Sequence, residues 1–271
     1  MQPEPTILIP IRVLEGESIP EGVPELVANA RVILLGYHVV PDQTSTDQAR
    51  SQFEDKGARR LTDLTEILEH AGAAVESRLV FTHDGQQTID RVTAERDCLA
   101  VLIPNATRPI ENVLVPIRGI VGIDRFVRLI SGLFGPSDVR VTLYHVAEAD
   151  ESGEDVETLL DGIAARLSDE GVSPEFIDTR IAREDDSQAA IVETADDYDA
   201  IVMGESDPSL TTFLFGMTAD QVADRFLGPV FVIQHGDAEA IEDAGAEAIE
   251  DAGAEAIEDA GAEAIEDVGA E

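Results

Sequence analysis

The sequence predicts an α/β protein, built as two tandem doubly wound parallel-sheet domains followed by a disordered acidic tail. Three observations carry this reading. Short apolar runs alternate with polar, helix-like stretches from residue 6 to 234, as strands do when helices cover both faces of their sheet. The opening pair of runs occurs twice: "TILIPIR" (Thr6 to Arg12) returns as "NVLVPIR" (Asn112 to Arg118), and "RVILLGYHVV" (Arg31 to Val40) as "RVTLYHVAE" (Arg140 to Glu148). From Ala238 the chain reads "AEAIEDAG" three times, then "AEAIEDVG", then "AE". The predicted divisions are residues 1–109, 110–236 and 237–271.

Each half continues in the same order. The first has a polar helix from Thr46 to His70 ended by Gly72, a strand "VESRLVFT", a helix from Gln86 to Glu95 and a strand "CLAVLI". The second has a helix from Asp155 to Asp169 ended by Gly171, a strand "PEFIDTRIA", a helix from Ser187 to Ala195 and a strand "DAIVMG". Strand alternating with helix implies right-handed crossovers and a parallel sheet. The second half then adds a loop, a helix from Gly216 to Phe226 and a fifth strand from Val230 to Gln234. The first half stops short, because the seven residues from Asn105 to Glu111 cannot hold a crossover helix and a strand.

The tail has a period of eight residues, which advances a helix by about 80° beyond two full turns. Ile241, Ile249, Ile257 and Ile265 therefore form no apolar stripe. Gly245, Gly253, Gly261 and Gly269 each cost a helix ~1 kcal/mol. The composition predicts disorder, with a docking role as the functional alternative.

Charge narrows the function. The 271 residues carry a formal net charge of -38, and Lys56 is the only lysine. Such a surface resembles that of proteins from salt-in halophiles, where short screening lengths mute carboxylate repulsion. It has no basic patch to release counterions from phosphates, which argues against nucleic acid. Cys98 is the single cysteine, so no disulfide framework or thiolate metal site is expected. No apolar run has membrane-spanning length and the N-terminus lacks signal-peptide character. The expectation is a soluble, cytoplasmic protein.

The order of elements, with "ENVLVPI", "VTLYHV", "DYDAIVMG" and "FLFGMTADQVADRFLGPVFVI" in their places, resembles the universal stress protein family over residues 6 to 234. The resemblance implies an adenine-nucleotide α-hydrolase-like fold in a tandem arrangement, the two halves packing as an intramolecular pseudo-dimer. In that family the fifth strands commonly meet across a dimer. With none in the first half, residues 228–234 become a candidate homo-oligomer edge.

ATP-binding members of the family carry Gly-x-x-Gly, about nine residues, then Gly and Ser or Thr, so that backbone and helix N-terminus approach the phosphates. Here Gly204 matches the first glycine. Asp207 stands at the second, followed by Pro208, which donates no N–H. Only eight residues, Pro208 to Phe215, separate Asp207 from Gly216, which matches the next glycine. Met217 takes the hydroxyl position, and Thr218 comes one residue late, about 100° further round the helix. The family's Asp after the first strand is replaced by Arg12 and Arg118. An arginine there either meets a phosphate or pairs with local carboxylates.

Ligands of such sheets sit beyond the carboxyl ends of the strands. The candidate crevice is therefore Arg118, Gly119, His145, Gly204, Ser206, Gly216, Met217 and Thr218. His38 and His145, which read as matched across the duplication, either face ligands or pack with hydrogen bonds. His83-Asp84 and Glu184-Asp185-Asp186 read as helix-start caps rather than a metal site. "GESDPS" is not a nucleophile elbow, since Pro208 replaces its second glycine. The expectation is a non-catalytic, stress-associated regulatory module without a cofactor. One alternative is a sensor of ATP or another adenine nucleotide or anion; the other is an adaptor whose acidic tail recruits a protein partner.

Overall fold

In a computed structural model of the chain, described over residues 4–105, 109–117, 122–135, 137–147, 151–184, 186–204 and 228–234, the apolar runs become strands. The first half holds β1 (Thr6–Arg12), β2 (Arg31–Val39), β3 (Ala74–Thr82) and β4 (Ala100–Ile103). Between them lie the short helix α1 (Val23–Leu26), then α2 (Thr46–Ala71) and α3 (Gly85–Glu95). The second half holds β5 (Asn112–Pro116), β6 (Arg140–Val146), β7 (Ile177–Ala182), β8 (Ala200–Gly204) and β9 (Val230–Ile233). Its helices are α4 (Ile123–Phe134), α5 (Gly153–Asp169) and α6 (Ser187–Ala195).

Local chemistry sets the helix ends. The Ser45 hydroxyl accepts the Gln48 N–H at 3.1 Å and starts α2. Gly72 ends it at a φ of 114°, a left-handed conformation that side chains other than glycine resist. The inward face of α2 is Leu61, Leu64 and Leu68; that of α5 is Val156, Leu160, Ile163 and Leu167. The predicted strand from Pro174 begins instead as a 3-10 turn over Pro174–Phe176, and β7 follows it. Pro174 has no N–H for a ladder.

The family resemblance implies a helix between the first and second strand, for which no residues are assigned from the sequence. The structure puts α1 and α4 there. Phe126, Leu129, Ile130 and Leu133 of α4 are buried at helical spacing and fill the core on one side of the sheet.

All nine strands among the described residues form one sheet, ordered β3-β2-β1-β4-β9-β8-β5-β6-β7. Read inward from either end, the first four strands follow one pattern, and β9 lies between the two sets. Every pairing is parallel except β4 with β9, where Ala100 faces Ile233 and Ile103 faces Val230. On its other edge β9 pairs with β8 in parallel, Ile201 facing Val230. Within residues 228–234, the strand Val230–Ile233 thus has both edges engaged within the chain. The expected edge for pairing with a second copy is taken by β4, because the first half ends on a strand that lacks a neighbour of its own.

A second tie crosses between the halves. Arg125, at the start of α4, donates from Nη2 to the Cys98 carbonyl at 2.7 Å, and its Nη1 lies 3.6 Å from Asp97 Oδ1. Cys98 is buried, and burial pushes its thiol up to about 12. No helix among the described residues is long and apolar enough to cross a membrane.

Phe231 is fully buried in the large core. Phe231→Ala is expected to lower the unfolding free energy by about 3–5 kcal/mol in urea titrations; a loss below ~1 kcal/mol would contradict a central place for β9. The Cys98 thiol gives a pH test. Folded, it keeps its proton to about 12, whereas the unfolded thiol ionises near its ordinary value of 9.0. The stabilisation is whole below pH 9 and drains away as pH climbs toward 12, at up to about 1.4 kcal/mol per pH unit. Cys98→Ala should flatten that alkaline limb in urea titrations run at stepped pH.

Candidate functional site

The sequence places the candidate crevice at the carboxyl ends of β5, β6 and β8. Of its residues, Arg118, Gly119, Ser206, Gly216, Met217 and Thr218 lie outside the described residues, as do Asp207 and Pro208. Gly204 is the last residue of β8 and pairs with Ile233 of β9. His145 is the penultimate residue of β6 and 6% exposed.

His145 is held at both ring nitrogens. Nδ1 lies 2.8 Å from the Ile117 carbonyl oxygen and Nε2 lies 2.9 Å from Glu151 Oε2. Both contacts are oxygens, which accept hydrogen bonds. The backbone reinforces this corner, since Ile117 N–H donates to the Tyr144 carbonyl at 2.8 Å. The imidazole joins the end of β5, the end of β6 and the entry to α5. Both nitrogens being engaged by the protein, the arrangement suits positioning rather than proton transfer or metal ligation. Glu151 escaped the sequence analysis, although its place just before a helix start is where an acidic group is favoured.

The first half shows what an arginine does at the end of an opening strand. Arg12 Nε donates to the Tyr37 hydroxyl at 3.1 Å, and its Nη1 lies 3.4 Å from Glu15 Oε2. The Arg12 backbone N–H donates to Glu17 Oε2 at 2.6 Å, and Arg60 Nη2 holds the Glu17 carbonyl at 3.2 Å. The hydrogen bond that Arg12 donates to Tyr37 holds the guanidinium above its ordinary value, while burial pushes the Tyr37 phenol up. The alternative of pairing with local groups is the one that Arg12 follows. Tyr37, Glu15 and Glu17 were not singled out from the sequence.

The sheet register corrects the matching of His38 with His145. Thr6 faces Arg31, and its counterpart Asn112 faces Arg140. Counting on from those pairs, Leu35 corresponds to Tyr144 and Gly36 to His145, so His38 corresponds to Ala147. The two Tyr-His pairs are offset by two residues, which leaves both histidines on the same face of the sheet. His38 packs edge-on to Phe53 and Phe81, each with centroids 6.0 Å away. Its Nδ1 is buried without a hydrogen-bond partner. His83 Nδ1 lies 2.9 Å from the Val40 carbonyl. Asp84 and Asp186 cap α3 and α6, accepting the Gln87 and Ala189 N–H groups at 3.0 Å and 3.1 Å. No metal-holding group of three or more His, Cys, Asp or Glu occurs among the described residues.

No protein-family model and no curated protein sequence matches the chain. Solved structures do. A universal stress protein from Archaeoglobus fulgidus DSM 4304 aligns with 86% of this chain and 97% of its own, at 17% identity and a TM-score of 0.59. The chain has the universal stress protein fold. A functionally unknown protein from Pseudomonas aeruginosa PAO1 aligns with 87% of this chain and 94% of its own, at 18% identity and a TM-score of 0.47. A universal stress protein in complex with cAMP aligns with 46% of this chain and 96% of its own, at 18% identity and a TM-score of 0.35. Within the universal stress protein fold, the helices α2 and α5 follow the strand ends that carry Tyr37 and His145.

If His145 is a structural tie, His145→Leu removes its contacts with the Ile117 carbonyl and Glu151 and leaves a buried carbonyl without that contact, at a cost of about 1–3 kcal/mol. Guanidinium unfolding should register that loss. An unchanged midpoint would remove the structural assignment.

Proposed function

We propose that this chain is a non-catalytic, stress-response regulatory protein of the universal stress protein type, with two such domains in tandem. One observation carries the reading: the fold is shared with the Archaeoglobus universal stress protein over 86% of this chain and 97% of that one. Fold alone does not dictate function, so the site chemistry has to agree with it. In the sequence, Asp207 stands at the second glycine of the ATP-binding motif, Pro208 has no N–H to donate and Met217 stands at the hydroxyl position. In the first half, the position after the opening strand is filled by Arg12 held against Tyr37, Glu15 and Glu17. These features support a protein that does not bind ATP in the family's usual way, and that acts through a protein partner. The carboxylate-rich, lysine-poor surface suits work in molar salt, inside the cell.

The test is to purify the protein in molar potassium chloride, denature it and identify what is released by mass spectrometry. The expected outcome is no stoichiometric nucleotide. Adenine nucleotide released at near one equivalent would replace this reading with that of a nucleotide sensor.

A further inference from the structure

Successive residues of a strand face opposite sides of the sheet, so Tyr144 lies across the sheet from His145. On the Tyr144 side, a cavity of about 480 Å³ opens between β6, β7 and α6. Its lining includes Tyr144, 2% exposed, and Thr194, 8% exposed. Neither hydroxyl has a hydrogen-bond partner among the described residues. Arg180 lies over the Tyr144 ring, its Cζ 5.5 Å from the centroid. The exposed carboxylates of Glu184, Glu193 and Asp197 line the same cavity. Among the described residues Arg180 forms no ion pair with any of them.

The first half supplies an internal comparison. Val75 faces Val32 and Ile177 faces Val141, so Arg78 corresponds to Arg180. Aligning the caps Asp84 and Asp186 sets Glu95 against Asp197 and Val92 against Thr194. In the first half Arg78 Nη1 closes on Glu95 Oε2 at 2.6 Å and Val92 is wholly buried. The Tyr37 ring crowds the start of α3 so closely that a Cβ on Gly85 would come within 2.9 Å of it. Protein groups thus satisfy one another there. The second half keeps the arginine and the acid but leaves them apart, puts a hydroxyl in place of Val92 and retains an open volume.

A wall that holds opposite charges apart, above hydroxyls without partners, fits a ligand that carries both charges itself. We propose that this cavity binds a small zwitterion of the basic amino-acid class. The ligand carboxylate lies on the Arg180 fork, whose geometry matches it, and accepts from Thr194. Its cationic groups lie against Glu193 and Asp197. The excess of acids over bases in the wall selects a ligand with surplus positive charge. This site goes beyond the regulatory reading above and does not depend on it.

The test is calorimetric titration of the full chain with L-lysine, and with cadaverine as the carboxylate-free control. L-lysine should bind saturably, with cadaverine weaker by about tenfold or more. Arg180→Gln, at an exposed position, should weaken L-lysine binding about tenfold. Thr194→Val should weaken it severalfold, and Arg78→Gln should leave it unchanged. Urea unfolding of each variant confirms that the fold persists. Absence of saturable heat with L-lysine overturns the site. So does equal binding by the Arg180→Gln and Arg78→Gln proteins. Cadaverine binding as tight as that of L-lysine overturns the zwitterion assignment, leaving an acidic surface that collects cations.

Discussion

The architecture depends on β9. This four-residue strand lies where the two halves meet, antiparallel to β4 of the first half on one edge and parallel to β8 of the second on the other. Its alternating side chains feed two cores. Phe231 and Ile233 join the large cluster, while Val230 and Val232 pack with Leu114, Ile201 and Met203. A strand buried on both faces and paired on both edges leaves no backbone group in need of water. The first half, which has no fifth strand, completes its sheet with the strand of the second.

That sharing places demands on the seam around it. Arg125 reaches from α4 to the Cys98 carbonyl, and Asn105 Nδ2 donates to the Gly228 carbonyl at 3.0 Å. Asp199 Oδ2 accepts the N–H groups of Glu111 and Asn112 at 3.0 Å and 2.9 Å, fixing where β5 starts beside β8. Each contact holds a chain segment that enters or leaves a strand near the centre of the sheet. Among them, the Arg125 Nε is buried without a hydrogen-bond partner. The guanidinium therefore gives up some hydration to reach its carbonyl, a cost accepted where the two halves must be held in one position.

Whereas the outer strands β3 and β7 carry polar residues such as Glu76, Arg78, Asp178 and Arg180, the inner strands were legible because they are short apolar runs bounded by polar residues, and such runs signal themselves locally. α5 and α6 were legible for the same reason, with Gly171 and Asp186 marking ends that the structure keeps. α4 carried a legible signal, Phe126, Leu129, Ile130 and Leu133, that the strand-centred reading passed over. What could not be read was pairing across distance. Nothing in "VFVIQ" says which strand it will meet, and the answer came from the vacancy beside β4. The offset between the two Tyr-His pairs is similar, because a dipeptide match ignores which residues of β1 and β5 lie opposite. At the site, Glu151 and Glu17 lie six and five residues along the chain from the groups they hold. In a sequence this rich in carboxylates, such partners are hidden by the many that do not pair.

The two halves share a scaffold and differ in how their groups are satisfied. In the first, Arg12, Tyr37, Glu15 and Glu17 neutralise one another at the end of β1, and Arg78 closes on Glu95 across the sheet edge. In the second, His145 takes up the corner between β5 and β6, while Arg180 stacks on Tyr144 with its corresponding acid apart from it. A polar group satisfied by its own chain has less to offer a ligand than one left waiting. The first half has thus become a structural partner, supplying β4 as the edge that β9 needs.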